Sequence, residues 1–174
     1  NNFLEWHTDF KNKSCVNVLS NWGCNYKNKC QFTSAEIALN AIDIKIIGLN
    51  TALLSCDDAD INKLVVEPKI LNDQLNGIDV CKNLVLVLAH HPIVNTNNEL
   101  WLAEWCSKEL QKTLMKANGP HVLFHGHVHQ MAGNSIDSMG GQKLTTLGAG
   151  ACYQNDKYPM RFSFYTFDLP KQTI

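Results

Sequence analysis

A dominant charge of either sign is missing from this sequence. Fifteen Lys and Arg stand against sixteen Asp and Glu, a formal net charge of −1, so there is no chain-wide pull toward a phosphate backbone and nucleic-acid binding gains no support. Arginine is nearly absent: Arg161 stands alone, which leaves no arginine fork to clamp a phosphate. Long hydrophobic runs are missing too. No stretch reaches the roughly 18 apolar residues of a membrane-spanning helix, and Asn1 to Phe10 has none of the basic-then-apolar layout of a secretion signal. The expectation is a soluble, cytoplasmic protein with no membrane partner. The seven cysteines (Cys15, Cys24, Cys30, Cys56, Cys81, Cys106 and Cys152) are odd in number and scattered, which excludes a dense disulfide scaffold and favours reduced thiols. His7, Cys15, Cys24 and Cys30 could supply four zinc ligands but lack the paired CxxC spacing of a structural zinc site. The Asn12-Lys13-Ser14 sequon carries weight only in a secreted protein.

The 174 residues suffice for one globular domain. No repeat, low-complexity tract or Pro/Ser-rich linker divides them, so the whole span, 1–174, reads as a single domain. Residues 1–30 show no sustained period beyond a short helix over Phe3–Phe10. From Gln31 an alternating stretch, a break at Asn40-Ala41 and the β-branched run Ile42–Leu49 predict a hairpin. Asp57, Asp58, Asp60 and Asn62 resemble the start of a calcium loop. However, Lys63 replaces the turn glycine and Lys69 the bidentate Glu, so the segment reads as a solvated acidic loop.

Leu84–Ala89 is an apolar run of strand length stopped by His90-His91-Pro92, which predicts a strand buried on both faces. Asn97 or Asn98 is a candidate cap for a helix running to about Lys116, with Leu102, Cys106, Leu110 and Leu114 along one face and Asn118-Gly119-Pro120 closing it. Three further strands follow: His121–His125, Leu144–Leu147 running into a Gly148-Ala149-Gly150 turn, and Arg161–Leu169 as a closing strand. The overall class is α/β.

Six of the seven histidines gather at two places, His90-His91 and the stretch holding His121, His125, His127 and His129. In extended backbone, residues two apart point the same way, so His127 and His129 can aim both imidazoles into one pocket, with Gly126 turning the chain between strand and site. Both groups follow apolar runs, and ligands gather beyond the carboxyl ends of parallel strands. Imidazole is the commonest metal ligand, so His90, His127 and His129 are candidate ligands of metal ions. His91, His121 and His125 are candidate orienting or substrate-facing groups, His91 being the candidate catalytic residue among them. His7 reads as structural.

Leu86-Val87-Leu88-Ala89-His90-His91-Pro92 followed by Val122-Leu123-Phe124-His125-Gly126-His127-Val128-His129 resembles the last two metal motifs of the calcineurin-like metallophosphoesterases. Ile46–Leu54 is similar to the strand that precedes those motifs, and Gly148-Ala149-Gly150 with the final strand is similar to the family's C-terminal ending. The resemblance implies a four-layer αββα sandwich and a centre of two divalent ions, manganese, iron or zinc. It assigns His90 and His127 to one ion and His129 to the other, with a metal-activated hydroxide attacking a phosphomonoester or phosphodiester. The family's Asp-x-His, Gly-Asp and Gly-Asn-His motifs have no counterpart here; Gly133-Asn134 is followed by Ser135 and comes too late. The chain, which opens on Asn1, is therefore expected to be the C-terminal half of such an enzyme, needing its N-terminal half in cis or trans. Without a bridging carboxylate, two cations about 4 Å apart repel strongly in a low-dielectric pocket. The expectation for these residues alone is at most one weakly held ion and little activity. Two readings compete: a phosphoesterase-like binding or regulatory subunit without catalysis, and a mononuclear zinc hydrolase with His90, His127 and His129 as a three-histidine site. Oligomeric state and substrate identity are open at this point, nucleic-acid ends included.

Overall fold

The computed structural model describes residues 23–24, 32–39, 42–93, 100–129, 131–137, 143–151 and 160–168. The helix expected over Phe3–Phe10, the side chains of His7, Cys15, Cys24 and Cys30, the sequon and the caps Asn97 and Asn98 lie outside them. One mixed sheet organises the chain. Its strands are β1 (Gly23–Cys24), β2 (Phe32–Ala38), β3 (Asp43–Leu49), β4 (Asn83–Ala89), β5 (Val122–His125), β6 (Ala132–Asp137) and β7 (Lys143–Gly148), in the order β1-β2-β3-β4-β5-β7-β6. The centre, β3-β4-β5-β7, is parallel, while β2 and β6 flank it antiparallel. Among the described residues the α-helices are α1 (Pro68–Leu75) and α2 (Glu104–Leu114).

The hairpin expected at residues 31–49 is present, with Phe32 opposite Leu49 and Ala38 opposite Asp43. Its β-branched second arm supplies Ile47 and Leu49 to the core, and a Lys45–Glu36 ion pair crosses the two strands. In β3, β4, β5 and β7 the residues Ile47, Val87, Leu123 and Leu144 share one face by register, and both helices pack there: Ile70, Leu71 and Leu75 from α1, and Cys106, Leu110 and Leu114 from α2. The spacing of four along α2 produces that stripe. The other face carries Leu86, Leu88 and Phe124; Leu88 is 42% exposed, and Tyr165 stacks edge-on against Phe124 at 5.5 Å. So β4 is not buried on both faces as its composition implied. Leu84, Val85 and Val87 are covered, but among the described residues both helices lie on the same side of the sheet.

Three more expectations are corrected. Helix α2 begins at Glu104, because the backbone just before it is already engaged: Asn62 N–H donates to Leu100 O, Leu64 N–H to Trp101 O and Ala103 N–H to Leu64 O. Leu102 is therefore buried through a parallel bridge with Leu64 and not through the helix. Residues 161–167 form no ladder; their alternation survives as a strap tied by Arg161 N–H to Ala151 O, with Phe162 and Phe164 pointing to solvent. The Asp57–Asp60 segment is not the fully solvated acidic loop expected either. Asp60 turns inward, and its carboxylate accepts from Cys56 N–H, Asp57 N–H and Ser55 Oγ. Those backbone donors hold its pKa below the usual carboxylate range.

Helix α1 and strand β6 escaped the sequence reading. The first had a legible signal in Glu67 as N-cap and Pro68 at the first helical position. The second has none, since Ala-Gly-Asn-Ser-Ile-Asp is poor in strand formers and owes its conformation to pairing with β7. Cys56, Cys81 and Cys106 are free thiols; Cys106 is buried, which raises its pKa, and it donates to Val66 O.

Candidate metal centre

Three adjacent parallel strands end together, with Leu49 of β3 opposite Ala89 of β4 and Ala89 opposite His125 of β5. The residues just past those ends therefore meet at one sheet edge: Thr51 after β3, His90 and His91 after β4, Gly126 and His127 after β5. This is the crevice in which parallel sheets bind ligands. Gly126 N–H donates to His90 O at 3.0 Å and stitches the β4 and β5 exits together.

His90 Nε2 lies 3.1 Å from His127 Nδ1. The ring centres of His90 and His91 are 4.7 Å apart, those of His91 and His127 4.4 Å, and those of His90 and His127 5.1 Å. One nitrogen from each of these three residues lies within 4.8 Å of the other two, a grouping that could hold a metal ion. His129 stands outside that group, though it is near enough to act electrostatically on His90. His90 faces solvent while His91 is buried. Trp101 walls the cluster, its ring centre 4.0 Å from that of His127 and 5.6 Å from that of His91.

The backbone behind this cluster is not extended. His127 has φ +65° and His129 φ +54°, both in the left-handed region that L side chains avoid. Val128 N–H donates to Gly126 O at 2.8 Å and closes a γ-turn of the rarer, strained hand around His127. The parity rule that paired His127 with His129 therefore fails, because strand geometry stops at His125. Gly126 is not a steric necessity: a Cβ there would meet His90 O at 3.7 Å, an ordinary contact. The same break in alternation explains His91. The chain bends at His90-His91, so consecutive rings meet instead of pointing apart.

Burial favours the neutral form of His90 and His91. Burial pushes the pKa of His91 down to about 4, assisted by His127 and His90. Burial lowers that of His90 as well, with His129 adding to it. Neutral imidazoles at pH 7 have a lone pair to offer a cation. The remaining histidines divide cleanly. His121 is structural, its Nδ1 accepting from Val85 N–H at 3.0 Å while its own N–H donates to Val85 O. His125 is buried, its pKa lowered by that burial, and its Nδ1 has no hydrogen-bond partner.

The donor set fits one divalent ion of the kind that accepts nitrogen ligands. It contains no carboxylate, and among the described residues no other group of three or more His, Cys, Asp or Glu is close enough to hold an ion. No helix in the described residues is long and apolar enough to cross a membrane. The chain matches no known family model and no curated protein.

Proposed function

We propose that the chain is part of a metal-dependent phosphoester hydrolase, a phosphomonoesterase or phosphodiesterase of the calcineurin-like kind. The observation that carries this reading is the meeting of His90 from the HHP motif and His127 from the GHxH motif, 3.1 Å apart at the carboxyl ends of adjacent parallel strands. The sequence resemblance supplies the reaction class. Divalent ions held there would neutralise charge on the phosphoryl oxygens and lower the pKa of a water ligand.

The chain's own residues present nitrogen donors, favour the neutral form of His90 and His91 by burial and close one side of the cluster with Trp101. His90 and His127 would serve an ion, with carboxylate ligands supplied from outside the described residues. The partly bare Leu86, Leu88 and Phe124 face of the sheet is where a second layer of an αββα sandwich would rest, delivered in cis or trans by the N-terminal half.

The test is hydrolysis of aryl phosphate and bis-aryl phosphate in manganese by the protein carrying its upstream sequence, against the same protein with His90→Asn. Metal-dependent cleavage lost in the variant is the expected result. A folded, metal-loaded protein that cleaves neither substrate overturns the reading and leaves a binding or regulatory subunit.

A further inference from the structure

By sequence His91 is a candidate orienting or substrate-facing group. Its surroundings give it a different part. It is 2% exposed, which removes it from any substrate approaching through solvent. Its backbone N–H donates to Thr51 Oγ1 at 2.9 Å, and its ring Nδ1 lies 3.2 Å from the same oxygen. A threonine hydroxyl has two acceptor lone pairs. Thr51 can thus accept from both groups of His91, and with the ring proton on Nδ1 the Nε2 lone pair is available to a metal. Holding one ring nitrogen with a hydrogen bond while the other takes a metal is the usual arrangement around a ligating histidine.

The packing of the rings agrees. With imidazole nitrogens at roughly 2.0–2.1 Å from an ion, ring centres fall about 4.5 Å apart for ligands at right angles and about 5.2 Å apart for tetrahedral ones. The three observed separations run from 4.4 to 5.1 Å. The nitrogen spacing of His90 and His127, 3.1 Å, is close to the roughly 3.3 Å expected between two ligands of a tetrahedral ion.

We infer that these residues form a complete site for a single divalent ion, with His90, His91 and His127 as its three protein ligands, Thr51 as the group that orients His91, and His129 not required. The inference rests on the reading that the cluster binds metal, and it assigns the ligands differently from the two-ion scheme. Three imidazoles and an open fourth position are what a zinc-type ion accepts.

The experiment uses the 174-residue chain, zinc and cobalt as probes, and no substrate. Titration by calorimetry, with the visible absorption of bound cobalt as a second readout, is expected to give one ion per chain. His91→Ala is expected to weaken binding at least 100-fold, and His129→Ala to change it less than threefold. Because a cavity at a buried position can unfold the chain, Thr51 provides the second arm: Thr51→Val is expected to weaken binding about 10-fold, the low end of the range for loss of such an orienting partner, and Thr51→Ser to restore it. Binding that survives His91→Ala or Thr51→Val, binding abolished by His129→Ala, two tightly held equivalents, or none at all would each overturn the proposal. Cleavage is not measured, so the phosphoesterase reading stands or falls separately, on hydrolysis of the aryl phosphates by the protein carrying its upstream sequence.

Discussion

His91 gives the most direct test of the site's electrostatics. In an unfolded chain its imidazole titrates near 6.5, whereas in the fold burial, together with His127 and His90, brings it down to about 4. The sign follows from proton counting. Above pH 6.5 both states are neutral and the contribution is complete. Between 6.5 and 4 the unfolded chain binds a proton that the fold refuses, so stability falls with acid, and by pH 4 the contribution is gone. At about 1.4 kcal/mol per pKa unit, the span from 6.5 to 4 is worth roughly 3 kcal/mol, and the slope contributed by this one group reaches about 1.4 kcal/mol per pH unit at most.

His90, His121 and His125 are displaced in the same direction by burial, so the acid sensitivity of the whole protein has several sources. The comparison that isolates His91 is urea unfolding of the parent and of His91→Gln at a series of pH values from 8 to 4, with chelator present so that no metal competes with protons. The parent is expected to lose stability more steeply than the variant below pH 6.5 and to run parallel to it above. Parallel curves throughout, or a His91 ring proton that titrates near 6.5 by nuclear magnetic resonance, would refute the reasoning.

Gly119→Ala is expected to destabilise by about 1–3 kcal/mol, since its Cβ would fall 2.2 Å from Leu114 O and 2.9 Å from Lys116 O; an unchanged denaturation midpoint would show that the α2 exit has another way to close. Leu110→Ala, at a fully buried position on the stripe of α2, is expected to lower stability by about 2–5 kcal/mol in the same assay. Asp60→Asn removes a carboxylate that ties together Ser55, Cys56 and Asp57, and faster amide exchange in residues 55–60 is expected, with the sheet unaffected.

What could be read from the sequence follows what each segment owes to its own residues. The parallel strands were legible because Ile44, Ile46 and Ile47 and the Leu84–Ala89 run are strand formers wherever they lie. The stripe on α2 was legible by its period. Strand β6 was not, because its conformation is imposed by β7, and the start of α2 was displaced because residues 62–64 claim the backbone before Glu104. In the candidate site, the pairing of the two motifs through His90 and His127 was visible from placement at strand ends. The membership of His91 and the separation of His129 were hidden, since both depend on backbone that leaves the strand conformation directly after Ala89 and His125.

That departure has an energetic meaning. A left-handed conformation in a non-glycine residue costs on the order of 1–3 kcal/mol, and the chain accepts it twice within three residues, at His127 and His129. His91 is buried beside it, and among the described residues His125 Nδ1 and Trp101 Nε1 have no hydrogen-bond partner, each unmade bond costing about 1–3 kcal/mol. Apolar side chains on ordinary turns would close the ends of β4 and β5 with none of these penalties, as Leu, Val and Ile do on the helix-covered face of the same sheet. Unfavourable groups scattered over a fold would indicate only imperfect packing. Here they lie beside His90, His91, His127 and Trp101, where a bound cation would draw on imidazole nitrogens. An instability of several kcal/mol at that edge is a large share of what a domain of this size has in hand, and a cation bound to the imidazoles would offset part of it.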